Sequence, residues 1–198
     1  MIAIVDTGGA NLASVINAFE RLGQRAELTK APDAIARASH VILPGVGAAG
    51  DSMKRLQASG LVEPLRKLTQ PVLGICLGMQ LLFERSEEND TACLGLLDGT
   101  VHRIPADVAR GVTVPHMGWN ALHRVGPASA LFDASLEGQQ FYFVHSYMAP
   151  AGPFVRAQTE HGGPVPACVE RGNFFGVQFH PERSGPAGAE LLRRFTHL

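Results

Sequence analysis

The sequence has few cysteines, little net charge and no long apolar run. Its three cysteines, Cys76, Cys93 and Cys168, are an odd number without framework spacing, and no two form a C-x-x-C pair. That argues against a disulfide scaffold or a zinc site. Net charge is −1 and the pI is about 6.7, so nothing steers the chain toward nucleic acid or an anionic membrane. No apolar stretch approaches the roughly 20 residues that span a bilayer. The amino terminus, Met1 to Asp6, reads as an immediate strand rather than a basic leader with a cleavage site, and a cytoplasmic protein is expected. The early Gly8-Gly9-Ala10-Asn11 turn is not G-x-G-x-x-G, and no G-K-[ST] occurs anywhere, so nucleotide binding has little support.

What is present is a chain able to bury a core. It has 198 residues, 45% hydrophobic and 18% charged, which is globular and of single-domain size. Ile2-Ala3-Ile4-Val5-Asp6 is a short apolar run. A helix follows, capped at Asn11 or the turn before it and running to about Leu22. Val15, Ala18, Phe19 and Leu22 recur on one of its faces, and Gly23 ends it. His40 to Leu43 and Val72 to Ile75 read as further buried strands, with a helix over Asp51 to Leu68 broken near Gly60. Apolar strands separated by helices indicate a parallel sheet covered on both faces. Val112 to Val125 and Phe141 to Ala149 are short segments divided by Gly and Pro. Phe174 to His180 is a last strand, and Ala187 to Phe195 a closing helix. The expected fold is α/β: an open, mostly parallel sheet flanked by helices, with added antiparallel strands in the second half. No repeat, low-complexity stretch or linker is visible, so one domain is expected over residues 1–198.

Two segments carry chemistry. In Pro71-Val72-Leu73-Gly74-Ile75-Cys76-Leu77-Gly78-Met79-Gln80, a cysteine stands where a buried strand should stop and a helix begin, with Gly74 and Gly78 flanking it. Ligands bind at such strand ends. The arrangement resembles the elbow that presents a serine in α/β hydrolases. A helix N-terminus behind the sulfur favours thiolate, and the Leu77 amide is a candidate oxyanion donor. Gln80 follows one turn later on the same face, and Glu84 would continue that stripe. A buried core cysteine is the plainer alternative for Cys76, and the one favoured for Cys93 and Cys168. In Phe175-Gly176-Val177-Gln178-Phe179-His180, alternation places Gly176, Gln178 and His180 on one face and Phe175, Val177 and Phe179 on the other. Pro181 holds His180 extended, so Glu182 can orient one ring nitrogen while the other meets Cys76. Pro44-Gly45-Val46-Gly47, after another buried strand, can aim an amide of Val46 or Gly47 at a carbonyl held over Cys76. It also suits a plain turn.

These segments are similar to the class I, or triad, glutamine amidotransferases, and within them to the glutaminase subunits of imidazole glycerol phosphate synthase. Asn11-Leu12 with Ser14-Val15, Pro44 to Gly47, Pro115-His116-Met117-Gly118-Trp119-Asn120 and Tyr142-Phe143-Val144-His145-Ser146-Tyr147 extend the likeness over nearly the full chain. The resemblance implies L-glutamine as substrate, Cys76 as nucleophile, His180 as base and acid, and Glu182 as its orienter. It implies oxyanion amides from Leu77 and the Val46–Gly47 segment, and substrate contacts from Gln80, Ser146 and Tyr147. It also implies a TIM-barrel cyclase partner in a 1:1 heterodimer, met near Asn11, Trp119, Asn120 and Tyr142, with no metal or cofactor. The family commonly has tyrosine where Thr7 stands and glycine where Ala10 stands, near the partner-facing side. Other glutaminases, including the one feeding pyridoxal phosphate synthase, a free-standing cysteine hydrolase and a silent binding domain are the competing expectations.

Overall fold

A computed structural model of the chain describes residues 1–8 and 12–198. The first half runs β1 (Ile2–Val5), α1 (Leu12–Arg21), β2 (Ala26–Thr29), α2 (Pro32–Arg37), β3 (His40–Leu43), α3 (Ala49–Ala58), α4 (Val62–Arg66), β4 (Val72–Ile75) and α5 (Leu77–Gln80). Then come β5 (Phe83–Ser86), β6 (Thr91–Ala92), β7 (Leu97–Arg103), β8 (His116–Ala121), β9 (His123–Arg124) and β10 (Gln140–His145). β11 (Tyr147–Met148), β12 (Val155–Glu160), β13 (Pro164–Arg171), β14 (Phe174–Val177) and α6 (Gly185–Phe195) complete the order.

Among the described residues the main sheet has eight strands in the order β2-β1-β3-β4-β14-β13-β12-β9. From β2 to β14 every pair is parallel, and beyond β14 every pair is antiparallel. This is the mostly parallel sheet with antiparallel additions that the sequence implies. A two-stranded sheet (β10-β8) and a four-stranded one (β11-β7-β5-β6) stand beside it.

Strand alternation divides the core. Ala3, Val5, Val41, Leu43 and Val72 face one side with Met53 and Leu56 of α3. Ile2, Ile4, Ile42, Leu73 and Ile75 face the other, with Val15 and Phe19 of α1 and Leu191, Leu192 and Phe195 of α6. The expected helix over Asp51–Leu68 is two helices, with Gly60 at φ +64° between them.

Two local expectations are corrected. The strand expected over Phe174 to His180 ends at Val177. Glu84 does not continue a helical stripe from Cys76, because α5 stops at Gln80 and Glu84 lies in β5. The carbonyls of Leu81, Leu82 and Phe83 accept from the backbone of Leu94, Leu96, Leu97 and Gly95, so no further helical turn can use them.

Candidate active site

The topology brings the two chemical segments together. β4 and β14 are neighbours in parallel, with Ile75 opposite Val177, so both chains leave the sheet at the same edge. The Cys76 amide donates to the Val177 carbonyl at 2.8 Å, and the chain turns sharply there. Cys76 has φ 52° and ψ −109°, a conformation a non-glycine residue adopts at a cost of about 1–3 kcal/mol. Close packing enforces it. A Cβ on Gly78 would lie 1.7 Å from the Leu43 carbonyl oxygen, and one on Gly74 2.6 Å from the Gly78 oxygen. Glycine at these positions lets the elbow lie against the end of β3.

His180 has the extended backbone expected before proline (φ −103°, ψ 93°). Its Nδ1 is 2.8 Å from Glu182 Oε1, with both side chains almost wholly buried. Burial opposes charge on the ring, but hydrogen bonds to Cys76 and Glu182 and their negative charges outweigh it, raising the imidazole pKa to about 10. The ring sits between the Glu182 carboxyl group and the Cys76 sulfur, in a setting that favours its protonated form. The backbone is also anchored: the His180 amide donates to the Tyr142 carbonyl at 2.9 Å. The Ser184 hydroxyl donates to the His180 carbonyl at 2.7 Å and accepts from the Tyr142 amide at 3.0 Å.

A cavity of about 400 Å³ opens on these groups. Cys76, His180, Val46, Gly47, Leu77, Gln80, Ser146 and Tyr147 all line it, and Glu182 sits behind His180. Gly47 has φ +92° and Thr7, buried, directs its hydroxyl at the Pro44 carbonyl (3.4 Å), so the atypical threonine touches this loop. Gly45 to Gly50, running from the loop after β3 into the start of α3, also has G-x-G-x-x-G spacing. The Ala49 amide at the start of α3 donates to the Glu88 carboxylate at 2.6 Å, however, so that helix end already faces an anion.

Three lining or adjoining residues were not singled out from sequence. Glu88 had no local signal. His145 is buried, and desolvation lowers its pKa to about 3, so its ring is neutral and its Nδ1 donates to the Tyr147 carbonyl at 2.8 Å. Gln178 does have a signal, since alternation puts it on the face of His180. Its amide nitrogen is 3.7 Å from Cys76 Sγ and its oxygen accepts from Gln80 at 3.0 Å.

The expected partner-facing residues do not share one face. Trp119 is exposed and its ring lies 5.8 Å from that of Tyr142, over which Arg183 sits at 5.4 Å. Asn120 alternates to the other face, against His116 Nε2 (2.9 Å) and the Glu160 carbonyl (3.0 Å). Asn11 lies outside the described residues. Cys93 and Cys168 are buried away from the cavity. Among the described residues no group of His, Cys, Asp and Glu is arranged to hold a metal, and no helix is long and apolar enough to cross a membrane.

The family model for glutamine amidotransferase class-I matches residues 3–198. The chain belongs to the class-I glutamine amidotransferases. This amidotransferase is 52% identical over 198 residues to imidazole glycerol phosphate synthase subunit HisH of Xanthomonas axonopodis pv. citri, covering all of this chain and 97% of that protein. It is 48% identical to subunit HisH 2 of Legionella pneumophila, covering all of this chain and 98% of the relative. A solved structure described as a glutamine amidotransferase superposes with a TM-score of 0.75 at 20% identity, over 99% of this chain and 97% of that one, which bears on the fold alone.

Proposed function

We propose that residues 1–198 act as one glutaminase domain, hydrolysing L-glutamine for imidazole glycerol phosphate synthase in histidine biosynthesis. The observation that carries the site assignment is the meeting of a strained Cys76 with the His180–Glu182 pair at the ends of adjacent parallel strands, in one cavity. The full-length likeness to HisH subunits supports the synthase assignment.

The Cys76 thiolate attacks the side-chain carboxamide carbon of glutamine. Amides of Leu77 and the Val46–Gly47 segment receive the oxyanion, each donor contributing about 10²–10³ in rate. As the C–N bond breaks, imidazolium His180 protonates the departing nitrogen. Ammonia leaves, and a glutamyl thioester remains. Neutral His180 then takes a proton from water, hydroxide adds to the thioester, and glutamate departs with the thiolate restored. Glu182 holds the ring through Nδ1 in both half-reactions. Gln80, Ser146 and Tyr147 wall the glutamine site.

Ammonia freed into bulk water would be protonated and lost. The proposal therefore includes a TIM-barrel cyclase subunit, in a 1:1 complex, that accepts it and makes imidazole glycerol phosphate and an aminoimidazole carboxamide ribonucleotide. The exposed Trp119–Tyr142–Arg183 cluster is the docking face, one backbone step from His180 through the Tyr142 carbonyl. The loop at Val46–Gly47 is the candidate gate. The test is glutamate release by the purified chain, alone and with the barrel subunit plus its nucleotide ligand. Strong stimulation with stoichiometric ammonia transfer is expected. Full activity in the isolated chain would refute the gating. No hydrolysis by the folded complex would refute the function.

A further inference from the structure

Gln178 is fully buried and belongs to none of the roles assigned above. Three hydrogen bonds decide how its carboxamide points. The Tyr147 carbonyl can only accept, and Gln80 Nε2 approaches it at 2.9 Å, so that atom of Gln80 is the amide nitrogen. The same nitrogen lies 3.0 Å from Gln178, whose facing atom must therefore be its oxygen. That leaves the Gln178 amide nitrogen directed at Cys76 Sγ, 3.7 Å away. The orientation is thus fixed from a backbone carbonyl, through two glutamines, to the sulfur. The chain is anchored a second time, since neutral His145 also donates to the Tyr147 carbonyl.

We propose that Gln178 is a catalytic residue for the triad chemistry, donating an N–H to the Cys76 thiolate, with Gln80 as the positioning residue that holds it in that orientation. This rests on the assignment of Cys76 as nucleophile. It also gives Gln80 a second duty: both its amide hydrogens are committed inside the protein, and its carbonyl oxygen is what remains for substrate. A neutral donor suits this position. It steadies the anion through the resting state and thioester release, and it has no proton to lose to the thiolate in the working pH range.

The charged and titratable groups around the sulfur are His180 and Glu182 from the turn after β14, His145 at the end of β10 and Tyr147 at the start of β11. Glu88 comes from the loop before β6, while β4, α5 and β14 carry none. Replacing Gln178 leaves all of them in place. The experiment measures, for wild type, Gln178→Met and Gln178→Glu, the pH dependence of iodoacetamide alkylation at Cys76 by mass spectrometry. Glutaminase kcat and KM are measured with the barrel subunit present. Gln178→Met removes the donor to the sulfur and the acceptor that holds Gln80, so the alkylation midpoint should rise by about one pH unit and kcat/KM should fall about tenfold. Gln178→Glu keeps the acceptor for Gln80 but sets a carboxylate against the sulfur, and should raise the midpoint further. Should Gln178→Met fail to fold, Gln178→Leu, which also lacks the donor, takes its place in the same assay. Wild-type alkylation profiles in the folded variants would overturn the proposal while leaving Cys76 as nucleophile. A wild-type complex that alkylates normally but hydrolyses no glutamine would instead refute the underlying function.

Discussion

Replacing Gly78 with alanine tests how tightly the elbow and the Gly45–Gly47 loop, the proposed oxyanion segment, are bound together. The added Cβ would fall 1.7 Å from the Leu43 carbonyl oxygen, 2.8 Å from the Leu43 carbonyl carbon and 3.3 Å from the Pro44 carbonyl carbon. An ordinary carbon–oxygen contact is about 3.3–3.6 Å. The end of β3 or the elbow must therefore retreat by about 1.5 Å, and neither partner is a flexible side chain. Overpacking of this kind costs about 1–3 kcal/mol of stability. The larger effect is on rate, because the segment that moves leads directly into Gly45, Val46 and Gly47 on the cavity wall. A misplacement near 1 Å costs about 100-fold, and losing one oxyanion donor costs about 10²–10³. Gly78→Ala is thus expected to stay folded with a lowered Tm and to lose at least about 100-fold in kcat, with a smaller change in KM. Thermal unfolding and glutamate release in the presence of the barrel subunit measure both. A variant with wild-type Tm and kcat would show that the contact at Leu43 does not hold the site.

Glu182→Gln keeps the shape of the pair but removes the charge that holds the His180 ring, and should lower kcat on the order of 10³-fold or more, read by the same assay. Since the His180 pKa is raised from 6.5 to about 10, its contribution to stability is complete below pH 6.5 and is lost as pH climbs through about 10. The Tm of wild type should fall over that interval, and fall less in Glu182→Gln. Burial pushes the Cys93 thiol up to about 11 and the fully buried Cys168 higher still, so a thiol reagent on native protein should label Cys76 and reach the other two only after unfolding. Trp119→Ala should weaken partner binding by about 2 kcal/mol, roughly 30-fold in Kd by titration calorimetry, if the exposed ring is an interface anchor.

Much of the site was legible because its signals are local. The Cys76 elbow shows in the spacing of Gly74 and Gly78, and the extended backbone of His180 follows from Pro181, although β14 stops short of it at Val177. That the two meet depends on β4 pairing with β14 in parallel, across about a hundred residues of chain. Continuous apolar strands imply one buried sheet, and both segments end strands, so the juxtaposition could be inferred without the pairing itself. What was less legible depends on distant partners. The end of α5 is set by backbone donors from Leu94 to Leu97 that claim its next carbonyls. Asn120 adjoins Trp119 in one motif, yet strand alternation sends it to His116 and away from the aromatic cluster. Gln178 carries the period-2 signal, but only the three-dimensional chain through Gln80 to Tyr147 shows which end of its amide meets the sulfur. The hydroxyl of Thr7 against Pro44 is a contact between loops that no spacing could announce.

The most direct test of the central claim is covalent. The chain, with the proposed barrel subunit added, is treated with a glutamine analogue bearing a diazoketone in place of the carboxamide, and the adduct is located by mass spectrometry. One adduct on Cys76, prevented by excess glutamine and lost in His180→Ala, is the expected result. Labelling elsewhere, or an active complex whose Cys76 stays unmodified, would contradict the assignment of this cysteine as the nucleophile.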